Sequence, residues 1–209
     1  PGGDPMTPRL RLAMLLAALG MAGAAPAGAQ VLGGLTYTWA NPAGDLSDKF
    51  IGNDSWLGVS VEGRRFLNPN VTVGISAGYT AFYESTPEPI YFPGGTVSGE
   101  QYRSMNVFPL LVTGHLYSKA GGKIQTYIGV GVGVYYMRQL MDVGSGTVET
   151  TNWIMGFAPE LGFILNKGAE KEIAIFGKYN YPANAGKYIG GESGSYQYLS
   201  VGISLMARR

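Results

Sequence analysis

After residue 30 the sequence keeps returning to an alternation of period two, with bulky apolar residues on one parity and Gly, Ser or Thr on the other. In Leu57-Gly58-Val59-Ser60-Val61-Glu62-Gly63-Arg64 one side reads Leu, Val, Val and the other reads Gly, Ser, Glu, Arg. The pattern recurs in Val71–Gly78, Ile128–Val134 and Leu199–Leu205. A strand sends successive side chains to opposite faces, so this alternation describes strands with two unlike faces. A soluble sandwich buries the apolar parity and shows charge to water on the other, and here the second parity is too small and too uncharged for that. A closed barrel with its apolar face in lipid and its polar face inward accounts for the pattern.

The amino-terminal stretch reads as an export signal. Arg9 and Arg11 form a short basic region, Leu10 to Met21 form an apolar stretch too short to span a bilayer, and Ala27-Gly28-Ala29 is a small-x-small cleavage site. Met6 is the expected start of the signal, with Pro1-Gly2-Gly3-Asp4-Pro5 upstream of it. An amino-terminal membrane anchor is the alternative, and the short core and small-residue ending fit it less well. Residues 1–29 are therefore set apart, and residues 30–209 are expected to form the barrel with no second domain after the last strand.

Removing residues 1–29 leaves 180 residues carrying 13 basic and 13 acidic side chains. Such a neutral balance predicts no nucleic-acid partner, because neutralising phosphates requires a clustered basic surface. The chain has no Cys, which excludes disulfides and thiolate metal sites. The longest apolar run, around Tyr127 to Met137, is interrupted by three glycines and falls short of the about 20 residues a membrane helix needs. A barrel is the other structure that satisfies its backbone inside a bilayer.

Turn residues divide the chain into eight expected strands, at about 33–40, 56–66, 71–83, 102–117, 124–140, 152–165, 172–181 and 195–206. Short connections follow the second, fourth and sixth. Long ones follow the first, third, fifth and seventh, at 41–55, 84–101, 141–151 and 182–194. The fold class is all-β, an eight-stranded antiparallel up-and-down transmembrane barrel with turns in the periplasm and loops outside. Tyr37, Trp39, Tyr79, Tyr83, Tyr136, Trp153, Tyr179 and Tyr181 fall near the long-loop ends, and Phe66, Tyr117, Tyr127 and Phe163 near the short-turn ends. Rings with a polar edge favour the membrane interface, so two aromatic girdles are expected.

These residues resemble the small outer-membrane β-barrel family, the eight-stranded OmpA/OmpX-like porin-type domains of Gram-negative bacteria. The resemblance covers essentially the whole chain after residue 29. It rests on the export signal, the strand rhythm, Tyr127–Tyr136, the Asn106-Val107-Phe108-Pro109-Leu110-Leu111 segment and Lys178-Tyr179-Asn180-Tyr181. It implies the cell outer membrane, with surrounding lipid and lipopolysaccharide and the barrel-assembly machinery as partners, while the family hosts several functions and fixes none. The resemblance also implies a final aromatic that the assembly machinery reads. This chain instead ends Leu205-Met206-Ala207-Arg208-Arg209, which predicts relaxed recognition or less efficient insertion.

An eight-stranded interior is just wide enough to be filled by side chains. Parity places Glu62, Arg64, His115, Glu160, Lys178 and Asn180 inside, among many Gly and Ser. Isolated charges there are costly, so they are expected to pair into a network, read first as a polar plug that fixes register and second as a gate. Catalysis is disfavoured. His115 is the single His, and Ser118, close in sequence, lies at the turn on the opposite parity. Gly129-x-Gly131-x-Gly133 sits in a strand and opens no helix, so no nucleotide site is expected, and no cofactor or metal is implied.

At the rim, Ile90, Tyr91 and Phe92 stand among prolines in the 84–101 loop, and Tyr188 and Ile189 lie in the Gly-rich 182–194 loop. They read either as anchors for an external protein or surface ligand or as residues that fold back on the barrel mouth. The function expected is a non-enzymatic structural or surface-binding barrel with a closed polar interior. A narrow passive channel is the alternative, and a lipid-modifying enzyme dependent on His115 stands third.

Overall fold

Side chains alternating between small and bulky can all be accommodated only if the sheet closes, and it does. The structure, a computed structural model, describes residues 31–86, 90–92, 95–97, 101–118, 124–143, 146–165, 171–183, 189 and 194–208. The expected signal segment and Tyr188 lie outside the described residues. The described residues form ten strands and one short helix: β1 (Val31–Gly44), α1 (Asp45–Lys49), β2 (Ser55–Asn68), β3 (Val71–Thr86), β4 (Ile90–Phe92), β5 (Gly95–Val97), β6 (Gln101–Tyr117), β7 (Ile124–Val143), β8 (Gly146–Leu165), β9 (Lys171–Pro182) and β10 (Tyr196–Arg208). Eight of these strands pair in the closed order β1-β10-β9-β8-β7-β6-β3-β2, and β4 and β5 form a separate hairpin. All neighbours in the ring are antiparallel, so no edge is left unpaired. Among the described residues no helix is long and apolar enough to cross a membrane.

The outward parity carries an apolar belt. Leu35, Val59, Val61, Val112, Ile128, Val132, Leu161 and Ile203 are all exposed, each on the face opposite the small residues. Trp56 and Leu57 are exposed side by side, because the β1–β2 register shifts between Thr38 and Ala40 and the extra residue interrupts the alternation.

Three of the expected loops are more ordered than their polar composition implies. The 141–151 segment is largely strand: β7 runs to Val143, β8 starts at Gly146, and these two residues are register partners. Its Thr147, Val148, Thr150 and Thr151 are β-branched, and a ladder wet on both faces does not require an apolar side. The bidentate contact of Arg138 with Glu149, at 2.8 and 2.9 Å, ties this extension together. The 84–101 segment holds the β4–β5 hairpin. The 41–55 segment holds the end of β1 and then α1, entered through Gly44 at φ 55°, a left-handed backbone that glycine adopts without strain.

A helix of five residues has no stability of its own. α1 persists because Leu46, and Phe50 and Ile51 just after it, are buried in the barrel mouth. Asp45 Oδ2 accepts the Ser195 N–H at 3.0 Å, Arg103 donates to the Phe50 carbonyl at 3.0 Å, and Glu84 accepts the Gly52 N–H at 2.5 Å. The segment is a strap folded into the mouth.

Candidate functional site

Five of the six expected interior groups converge on one layer near the middle of the barrel. Arg64 is 1% exposed and projects from β2 across the lumen. Its Nε and Nη2 donate to Glu62 Oε2 at 3.1 and 3.0 Å, Nη1 donates to the Tyr117 hydroxyl at 3.0 Å, and Nη2 reaches Glu160 Oε1 at 3.3 Å. Glu160 is the hub. Lys178 Nζ lies 2.8 Å from its Oε2, while the Tyr127 hydroxyl donates to its Oε1 at 2.8 Å and His115 Nε2 lies 3.7 Å from the same oxygen. Two carboxylates face two permanent cations, so the layer is electrically balanced. Burial of any member alone would carry a large desolvation penalty, and the hydrogen bonds make the set tolerable.

Asn180 stands apart from this layer. Its Nδ2 donates to Ser200 Oγ at 3.0 Å and its Oδ1 accepts the Tyr135 hydroxyl at 3.3 Å, one step nearer the loop end. Between the two sets lies a cavity of about 30 Å³, lined in part by Thr38, Ser60, Ser76, Thr80, Lys178 and Ser200. Its walls also include Leu111, Pro109 and Phe176, and the volume is room for about two water molecules.

Tyr117, Tyr127 and Thr72 also belong to the charged layer, Thr72 from the inward parity of β3. Tyr117 and Tyr127 were assigned to a girdle at the short-turn end and instead are buried, with ring centroids 5.5 Å apart. Tyr117 shares the parity of His115 and Tyr127 that of Gly129, so the alternation itself carried the signal. Phe66 likewise packs against Tyr117 and the interior, which leaves Phe163 as the outward member of that expected girdle.

The expectation of a polar interior holds for the middle and fails for the loop half. There Phe82, Met105, Val107, Tyr135, Met137, Ile154, Tyr196 and Tyr198 form an apolar core that α1 and its flank complete. Phe50 stacks on Tyr196 with centroids 5.9 Å apart, and Phe82 meets Tyr198 edge-on at 5.5 Å. The charged layer therefore lies between this oily core and a second buried apolar cluster toward the short-turn end, which includes Leu32, Ile164, Phe176 and Met206.

At the loop end the girdle residues Tyr37, Trp39, Tyr79, Tyr136, Trp153, Tyr179 and Tyr181 are on the outward parity and at least partly exposed. Ring contacts join Tyr79 to Phe108, Phe108 to Tyr136 and Tyr136 to Trp153 at 4.9, 5.7 and 4.9 Å, a continuous aromatic arc over β3, β6, β7 and β8. Phe108 and Trp56 belong to this zone and were not singled out in the sequence. Of the rim candidates, the backbone of Ile90, Tyr91 and Phe92 forms β4, paired with Val97, Thr96 and Gly95 of β5. Ile189 donates its N–H to Gln139 Oε1 at 3.2 Å and packs on the apolar core, so this residue folds back on the mouth.

His115 is buried among Thr72, Tyr117, Tyr127 and Glu160, with Thr72 Oγ1 3.4 Å from its Nδ1. Among the described residues no group of three or more His, Cys, Asp or Glu side chains is placed to hold a metal ion.

An eight-stranded ring with an apolar outer belt, an aromatic arc and a filled lumen defines the class of small membrane-type β-barrels. Solved structures show the same architecture. Neisserial surface protein A superposes with a TM-score of 0.55 at 10% identity, over 87% of this chain and 97% of that one. The outer membrane protein OprG from Pseudomonas aeruginosa superposes with a TM-score of 0.52 at 15% identity, over 88% and 96%. The fold is that of the small eight-stranded outer-membrane β-barrels. No family model and no curated protein matches the sequence.

Proposed function

We propose that this chain is an outer-membrane barrel, set with its short turns toward the periplasm and its loops outward, that serves as a non-enzymatic structural or surface-binding protein. The observation that carries this reading is the double closure of the lumen. The charged layer around Arg64 and Glu160 fills the cross-section in the middle, and the strap seats Leu46, Phe50 and Ile51 in the outer half. Passage of an ion would require both a break in a balanced set of buried charges and withdrawal of an apolar plug.

With the lumen filled, contact falls to the outer surfaces. Lipid and lipopolysaccharide meet the apolar belt and the aromatic arc, and an external protein or surface ligand meets the loops. The β4–β5 hairpin is the favoured contact element, because it is a sheet of its own beyond the ring and brings Ile90, Tyr91 and Phe92 into one strand.

Single-channel recording of the refolded chain in planar bilayers tests the closed interior, with a heat-shifted gel band as the folding control. Silence from a folded barrel is expected. Steady discrete openings that change in Glu62→Gln would overturn the reading in favour of a narrow channel. Shortening 84–101 is then expected to abolish surface attachment and leave folding intact.

A further inference from the structure

After residue 29 the charges of this chain are balanced in number and divided between its two ends. At the short-turn end, or in the sequence of the connections there, stand Arg65, Lys119, Lys123, Lys167, Lys171, Arg208 and Arg209, against Glu170 and the buried Glu172. At the loop end, or in the sequence of the connections there, stand Asp45, Asp48, Asp54, Glu84, Glu88, Glu100, Asp142, Glu149 and Glu192, against Lys49, Arg103, Arg138 and Lys187. The neutral total hides a basic end and an acidic end.

Two of the basic residues lie where a bilayer's headgroups would meet the wall. Arg65 follows Val59, Val61 and Gly63 on the outward parity of β2, and its register partners Val31 and Val73 share that face. Lys171 precedes Ile173 and Ile175 on the outward parity of β9 and is exposed. Each therefore lies toward the turn-side border of the apolar belt, with the exposed Leu67 beyond Arg65. In the ring β9 and β2 are separated by β10 and β1; the row that starts at Lys171 runs through Ala207 and Gly33 to Gly63, and Arg65 stands two residues beyond that row, beside Val31. A Cβ on Gly33 would meet nothing within 4 Å, so the wall beside Lys171 is low, while the exposed Val31 flanks Arg65. Three strand spacings and a two-residue offset along β2 set them roughly 16 Å apart, a gap that two long side chains can close around one headgroup.

From this placement we infer that the short-turn end binds anionic phospholipid headgroups, with Arg65 and Lys171 as the contact residues and the remaining turn-end cations adding to the attracting field. Acyl chains then lie on the apolar belt above. Basic side chains at a membrane surface attract anionic lipid, and ions screen the attraction. The inference rests on the barrel standing in a bilayer as proposed, and deepens it by naming the lipid class of one leaflet.

The test reconstitutes the full chain in phosphatidylcholine bilayers with a trace of spin-labelled phosphatidylglycerol or spin-labelled phosphatidylcholine. The fraction of label immobilised on the protein is read by electron spin resonance. A heat-shifted gel band reports folding and immobilised phosphatidylcholine reports a lipid-facing belt, so failure of the barrel reading shows before lipid choice is compared. Phosphatidylglycerol is expected to be preferred at low salt, with the preference falling as salt rises. Arg65→Gln and Lys171→Gln are each expected to lower it by roughly fivefold or less. Lys49→Gln, at the loop end, should leave it unchanged. Equal immobilisation of the two lipids, a preference indifferent to salt, or one that survives the double variant overturns the inference. Should the double variant fail to fold, the salt dependence of the unmodified chain decides.

Discussion

Glu160 and Lys178 are register partners on β8 and β9, and the Lys178 ammonium lies 2.8 Å from Glu160 Oε2. The same carboxylate also meets Arg64 at 3.3 Å, so one acidic group answers two cations. Removing it leaves those cations facing Glu62 alone. Glu160→Gln is expected to destabilise the folded barrel by about 3–5 kcal/mol, the usual consequence of stripping one partner from a buried pair. Adding Lys178→Met restores the charge balance and is expected to recover part of that loss. Urea unfolding in vesicles measures both. A double variant no more stable than the single one would show that charge balance is not what the layer supplies.

The neighbouring pair His115 and Gly129 makes a packing prediction. They are register partners, and a Cβ on Gly129 would lie 2.3 Å from His115 Cδ2. The His115 ring sits beside Tyr117 and Tyr127, at 6.4 and 5.6 Å between centroids, and has little room to retreat. Gly129→Ala is expected to cost about 1–3 kcal/mol through overpacking. Gly114 faces outward, with nothing within 4 Å of an added Cβ, so Gly114→Ala should fall within about 0.5 kcal/mol of the parent. Equal losses in an unfolding titration would contradict this account of the inward glycines.

The strap should open without the barrel. Leu46 is fully buried beneath the mouth, and Leu46→Ala is expected to weaken strap docking by about 2–5 kcal/mol. Amide exchange in 45–51 should quicken while β7 and β8 keep their protection. Conductance should remain absent, because the layer around Arg64 still closes the lumen.

Asp45 makes strap docking depend on pH. The Ser195 backbone N–H, and then the Lys49 side chain, hold the Asp45 carboxyl below the ordinary aspartate value of about 3.9. A depressed folded-state value means the contribution to docking is fully present above the ordinary value and is lost as pH falls through the depressed one. The Ser195 amide proton, followed by NMR, is expected to titrate with a midpoint below that of an unfolded aspartate. In Asp45→Asn the same signal should stay flat over this window.

Parity alone made most of the barrel legible. It separates Val59 and Val61 from Ser60 and Glu62, and the structure puts the first pair outside and the second inside. It loses its grip where bulky residues occupy both faces. Tyr135-Tyr136-Met137 offers no contrast between neighbours, so the oily core of the loop half left no mark in the alternation. Tyr117 and Tyr127 show the opposite difficulty, for there a rule about aromatics at strand ends conflicts with the face on which the residues stand, and the face decides. The strap was hidden for a third reason: Asp45–Lys49 is too short to display a helical period, and its burial depends on Tyr196, far along the chain.

The bond between Asp45 and Ser195 joins residues 150 positions apart. α1 follows β1 directly and Ser195 leads into β10, and these are the two strands whose pairing shuts the ring. The strap can find its seat only after the first and last strands have met. Burial of Leu46, Phe50 and Ile51 against Tyr196 is therefore a clock for assembly: a chain that has buried them has closed its barrel.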